Sequence, residues 1–217
     1  MRYDYRFGVS KTKSRSKTWL VIPVFGFAIG AYVLINTLSP AISFLDSQVD
    51  ATAKRLVAEK PALDENRLYI PKINVDVAVV AIDGNEAAAL ERGAIHRTPE
   101  NGNPADGGNF VLAAHRFQLG LTPDLTRKKS PFYHIDQLQT GDQLYVDYEG
   151  TRYAYEVTKK QDVSKDATEI EQRTDEDQLT VYSCELSGPE AGREVVFAKP
   201  IGTVAWVDGA PKLKPRS

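Results

Sequence analysis

The sequence predicts a mainly β domain, a barrel or sandwich with few helices, preceded by a membrane-spanning helix and a helical spacer. Three observations predict it. From Leu68 to Ala198, short runs of β-branched and aromatic residues alternate with clusters of Gly, Pro, Asn and Asp. Trp19 to Leu38 is a 20-residue stretch without a charge, and as a helix it is about 30 Å long, the thickness of a hydrocarbon core. Between them, residues 39–66 are polar and helix-prone, with Phe44, Leu45, Val49, Leu56 and Val57 near helical spacing and Pro61 ending the pattern.

At 217 residues the chain has room for one ordinary domain plus appendages. Its net charge of −2 hides an asymmetry. Residues 1–18 hold Arg2, Arg6, Lys11, Lys13, Arg15 and Lys17 against Asp4 alone, so this tail carries +5 and the remainder −7. An acidic body excludes nucleic acid as the expected partner. The basic flank on one side of the apolar stretch places residues 1–18 in the cytoplasm, 19–38 in the membrane and the rest outside the cell. A signal peptide cut near Ala41 is the competing reading, but signal cores run only about 7–15 residues.

The body, 67–208, opens with Leu68 to Ile73 and Val75 to Val80, a strand pair interrupted by Pro71. Glu86 to Glu91 predicts a helical turn, and Thr98 to Gly108 a loop. Phe110 to Ala114 predicts a buried strand that delivers His115 and Arg116 at its end. Phe117 to Lys129 reads as a loop. Glu149-Gly150 predicts a hairpin joining Gln143–Tyr148 to Thr151–Lys159. Asp162 to Asp177 is an acidic, polar loop with one helical turn, and residues 209–217 are a polar tail.

The one cysteine lies in Leu179-Thr180-Val181-Tyr182-Ser183-Cys184. Alternation along a strand puts Thr180, Tyr182 and Cys184 on one face. A second strand, Arg193 to Ala198, follows a Gly- and Pro-containing connection, and antiparallel pairing sets the thiol near the guanidinium of Arg193. A thiol, a fixed cation and a histidine from elsewhere make a cysteine protease or acyl-transfer site. A lone cysteine is more often a small buried packing residue; outside the cell, an odd cysteine points instead to a reactive thiol. His96, His115 and His134 lie at no metal-ligand spacing to one another or to Cys184, so no metal or cofactor is expected.

Taken together these motifs resemble the sortases, cysteine transpeptidases of bacterial cell surfaces. The carriers are Thr180 to Cys184 against a T-L-x-T-C signature, Ala114-His115-Arg116 against G-H-R, and Arg193-Glu194-Val195-Val196 against R-x-V-V. The Leu68-x-Ile70-Pro71 opening, Gly108-Asn109, Pro131-Phe132-Tyr133 and Gly141-Asp142 follow in the family's order. Ala114 replaces a glycine and Ser183 a threonine, and neither change removes a reacting group. The resemblance implies an eight-stranded β-barrel with His115, Cys184 and Arg193 as catalytic residues. It implies as partners secreted proteins bearing a C-terminal sorting motif of the L-P-x-T-G type, and an amine acceptor on a peptidoglycan precursor or surface protein. No Asp-Pro-aromatic lid precedes the body, which resembles the single-anchor members. The alternative is a catalytically silent extracellular β-barrel for adhesion or scaffolding, in which Cys184 is buried.

Overall fold

The computed structural model describes residues 18–42 and 49–216. The basic tail up to Lys17, and Phe44 and Leu45 of the spacer, lie outside the described residues. The chain divides into two compact units, Met1–Ile35 and Asn36–Ser217. The first contains most of helix α1 (Thr18–Ile42), of which Val21–Ile42 is long and apolar enough to cross a membrane. Val21, Ile22, Phe25, Phe27 and Ile29 are all exposed.

The second unit begins with the last turns of α1, where the polar residues have partners. Asn36 donates to Gly120 O at 2.7 Å and accepts from Thr126 Oγ1 at 2.5 Å, and Ser39 Oγ donates to Pro123 O at 3.1 Å. Both side chains are buried, which accounts for two polar residues at the end of an apolar run. Helix α2 (Val49–Ala58) packs Leu56 inward, followed by strands β1 (Arg67–Ile70) and β2 (Val75–Val80). Then come α3 (Glu86–Leu90), β3 (Ala94–His96), β4 (Gly102–Asn103) and β5 (Gly107–Ala113). Helix α4 (Pro123–Lys129) precedes β6 (Gln143–Tyr148) and β7 (Thr151–Val163). The chain closes with β8 (Gln178–Glu185), β9 (Gly188–Val207) and β10 (Ala210–Pro215).

Hydrogen-bonded pairings run β9-β7-β6-β1-β2-β3-β5, and β8 bonds both β5 and β9, so these eight strands form a closed ring. The two-residue β4 adds to β5, and β10 adds to β9. The expectation of a mainly β domain with few helices is met. Pairing is antiparallel except for β2 with β3 and β5 with β8. Glu149 and Gly150 both have positive φ and turn β6 into β7, as the sequence predicts. Several stretches differ from expectation, the first being the expected loop Thr98–Gly108, which contains β4 and the start of β5. The supposed loop after Phe117 contains α4, which has Thr122 as N-cap, Pro123 in the first turn and three cations in the last. The polar stretch from Ala210 pairs along β9 as β10.

The ring encloses one core, with Leu68, Ile70, Phe110, Leu112, Leu144, Val157, Leu179, Val181 and Val196 fully buried. A second cluster lies on the outer face of β3, β5, β8 and β9. It holds Ile95, Val111, Ala113, Tyr182 and Val195, with Ala89 of α3 and Ile170 packed over them. These strands are buried on both faces, so β8 carries almost no polar alternation.

Candidate active site

The outer cluster sets the row next to the site. Ile95 pairs with Ala113, Ala113 with Tyr182, and Tyr182 with Val195. Side chains two residues along a strand share a face, so the next row on that face comes from His115, Cys184 and Arg193. Cys184 and Arg193 are direct register partners on antiparallel β8 and β9, and residues so paired have Cα atoms about 4.5–5.5 Å apart. The parallel β5–β8 register ends at Ala113 opposite Tyr182, and Ala114 N still donates to Tyr182 O at 3.3 Å. His115 follows directly, two residues past the last paired position of β5, with its own carbonyl accepting from Phe132 N at 3.2 Å. All three predicted site residues therefore fall at one end of three neighbouring strands.

Cys184 is a free, partly exposed thiol. The ladder breaks beside it. Cys184 pairs with Arg193 but Glu185 with Gly188, so residues 189–192 form a bulge between the two pairs. A bulge next to a site re-aims side chains and ends the pairing. Arg193 donates to Gly192 O at 3.0 Å.

His115 is half-buried, and burial pushes its imidazole below the ordinary histidine value. Two charges act against each other on it: Glu91 raises it, with Oε1 at 3.9 Å from Nε2, and Lys129, which ion-pairs with Glu91, lowers it. Removing each charge should move the ring oppositely. Glu91→Gln is expected to lower the His115 titration midpoint and Lys129→Met to raise it, as followed by NMR of the ring protons. Shifts of the same sign in both variants would contradict this placement of the charges.

The signature residues hold the site's framework. Buried Thr180 Oγ1 donates to Asn109 Oδ1 at 2.7 Å, and Asn109 Nδ2 donates to Ile170 O and Gln172 O at 2.9 and 2.8 Å. Asn109 thus ties β5 and β8 to the turn Glu169–Glu171. The Tyr182 hydroxyl and Arg97 both donate to Glu171, and Arg97 also pairs with Glu86 of α3. Burial, with the neighbouring Glu171 carboxylate, pushes the Tyr182 phenol up, so it stays a donor. The acidic 162–177 segment is therefore strand as far as Val163, then a tethered turn.

The other histidines are occupied elsewhere. His134 Nε2 lies 2.9 Å from Pro40 O and its Nδ1 2.9 Å from Gln137 Nε2. His96 is buried edge-on to Phe110, with Nε2 3.0 Å from Gly102 O, and burial lowers its value. Among the described residues no three of His, Cys, Asp or Glu are placed to hold a metal. The two lowered histidines carry a stability consequence. Between their native values and the ordinary 6.5 the unfolded chain binds more protons, so stability rises with pH there and is lost as pH falls. Urea denaturation across pH 5–7 should show this slope, with His96→Gln flattening it; an unchanged slope in that variant would count against the assignment.

The sortase-domain family model matches residues 68–201. Sortase D of Bacillus subtilis is 29% identical over 136 residues, 61% of each chain. Sortase A of Bacillus anthracis is 26% identical over 139 residues, 64% of this chain and 60% of that one. The matches thus span about three fifths of these relatives' length. The crystal structure of sortase C-1 from Actinomyces oris shares the fold at a TM-score of 0.53 and 24% identity, covering 63% of this chain and 72% of that chain. With the family model matched from the first strand of the ring into its last, this chain belongs to the sortase family.

Proposed function

We propose that the chain is a membrane-anchored cysteine transpeptidase. It cleaves a C-terminal sorting motif of the L-P-x-T-G type in secreted proteins and joins the new carboxyl end to an amine on the cell wall or another surface protein. One observation carries the reading: Cys184 pairs directly with Arg193 at the end of β8 and β9, and the neighbouring β5 ends two residues before His115. The partial exposure of Cys184 favours it over the silent barrel, which needs a buried thiol.

The chemistry assigns one role to each side chain. Cys184 Sγ, as thiolate, attacks the scissile carbonyl carbon, and the tetrahedral intermediate collapses to a thioester. His115, as imidazolium, gives its proton to the departing amine nitrogen. An incoming amine then attacks the thioester carbon, His115 takes its proton, and the thiolate departs with the C–S bond pair. Arg193 donates to the carbonyl oxygen as charge develops on it; its guanidinium is always charged and its fork of donors is rigid. Burial disfavours the His115 imidazolium that this step needs, and turnover is expected to be slow. The apolar Val21–Ile42 helix supplies the anchor. The basic tail keeps the N-terminus in the cytoplasm and the β domain outside.

The test is amine-dependent transfer. The ectodomain is incubated with peptides containing L-P-x-T-G-type motifs and with diglycine or a short oligoglycine. Mass spectrometry should find the peptide cut within the motif and joined to the amine. No cutting across a motif library, with Cys184 inert to iodoacetamide in the native protein, would favour the silent barrel.

A further inference from the structure

Both His115 and Arg193 sit where the hydrogen-bonded ladder stops. His115 lies two residues past the end of β5, and Arg193 is the first regular pair after the 189–192 bulge. Strand pairing does not reach His115, and it holds Arg193 only at the last regular pairs of its ladders, with Cys184 and with Val163. The residue following each turns to the opposite face of the sheet, and there the two meet. Arg116 Nη1 ion-pairs with Glu194, 78 positions away, and Nη2 lies 2.9 Å from Asp136 Oδ1. Arg116 and Glu194 are both buried, at 6% and 8% exposure. Lys160 Nζ completes the group, 3.4 Å from Glu194 Oε1 and donating to Asp136 O. Glu194 is the register partner of Ser183, which is buried beside Cys184 in sequence. The pair therefore bridges β5 and β9 behind β8. A small serine at position 183 suits that arrangement.

We propose that the Arg116–Glu194 pair is a strut behind the Cys184 row, a positioning pair that fixes the separation of His115 and Arg193. The proposal rests on the reading that these two side chains act together with Cys184. A buried pair of opposite charges contributes little net stability compared with apolar residues of similar size. Its contribution here is geometric. A shift of about 1 Å at reacting groups costs on the order of 100-fold in rate, and Arg116 holds Glu194 and Asp136 through two arms of a rigid fork.

The test uses Arg116→Met, Arg116→Lys and the apolar pair Arg116→Met/Glu194→Leu, each checked for a native circular dichroism spectrum. The apolar pair keeps the measurement open should the single variant fail to fold. Two readouts are taken. In peptide transfer, kcat should fall about 10- to 100-fold, with KM changing less. In native alkylation of Cys184 by iodoacetamide, which needs no substrate, the rate should fall by about threefold or more, because a thiolate is favoured by cations held beside it. Arg116→Lys, keeping the charge without the fork, should recover part of both. A folded Arg116→Met or apolar-pair protein alkylated at the wild-type rate or faster overturns the strut, whatever its peptide activity. Slowed alkylation in the variants, with no transfer by the wild type on any motif, upholds the strut and sinks the transpeptidase reading instead.

Discussion

Cys184→Ala should abolish peptide transfer, with kcat/KM falling by at least about 10,000-fold, the scale seen when a covalent nucleophile is removed. No other thiol can take its place, since Cys184 is the chain's one cysteine. The variant should remain folded. Cys184 is partly exposed at the last regular pair before a bulge and belongs to neither apolar cluster. Substitutions at such positions usually change stability within about 0.5 kcal/mol. The loss therefore reports chemistry and not unfolding, and matched urea curves would establish that. Combining Cys184→Ala with His115→Ala or Arg193→Ala should add almost nothing, because groups acting as a unit are non-additive. Transfer retained in Cys184→Ala would refute the assignment of the nucleophile.

The largest stability loss is expected far from the site, at Arg152. Its side chain is fully buried on β7. Nε and Nη2 donate to the two carboxylate oxygens of Asp147 at 2.6 and 2.7 Å, and Nη1 donates to Leu56 O of α2. The guanidinium also lies 5.1 Å from the ring centroids of both Tyr69 and Trp206. One cation thus joins β1, β6, β9 and α2. Arg152→Met leaves Asp147, itself only 2% exposed, as an uncompensated buried charge. That should cost about 3–5 kcal/mol in urea or guanidinium denaturation. Arg152→Met/Asp147→Leu should recover much of it, since an apolar pair of similar volume is often neutral or better. A single variant within about 1 kcal/mol of wild type would mean that the charge is solvated, contrary to its burial.

The parts legible in the sequence were those fixed by neighbours along the chain. The Glu149-Gly150 hairpin, the apolar strand before His115 and the facing of Cys184 toward Arg193 all follow from local alternation and turn chemistry. The parallel β5–β8 pairing that brings His115 to the same row spans about 70 positions, and no local pattern encodes it; only the family resemblance supplied it. The same holds for Arg116. The sequence shows a cation after a histidine, and nothing nearby marks Glu194, 78 positions on, as its partner. Helix α4 was missed for a different reason. Thr122-Pro123-Asp124 and the closing Arg127-Lys128-Lys129 are sound start and stop signals, but seven residues are too few to show a helical period against a Gly- and Pro-containing surround. Asn36 and Ser39 blend into an apolar run, and only their contacts with Gly120, Thr126 and Pro123 reveal why they are polar.

The central claim is that the sulfur of the partly exposed Cys184 forms an acyl bond with substrate, with His115 and Arg193 acting beside it. Intact-protein mass spectrometry of the ectodomain, quenched in acid soon after mixing with an excess of sorting peptide and no amine, tests it most directly. The account predicts a mass increase equal to the acyl fragment, mapped to Cys184 and discharged by hydroxylamine. Peptide cleavage without any adduct on Cys184, or an adduct that persists unchanged in Cys184→Ala, would contradict it.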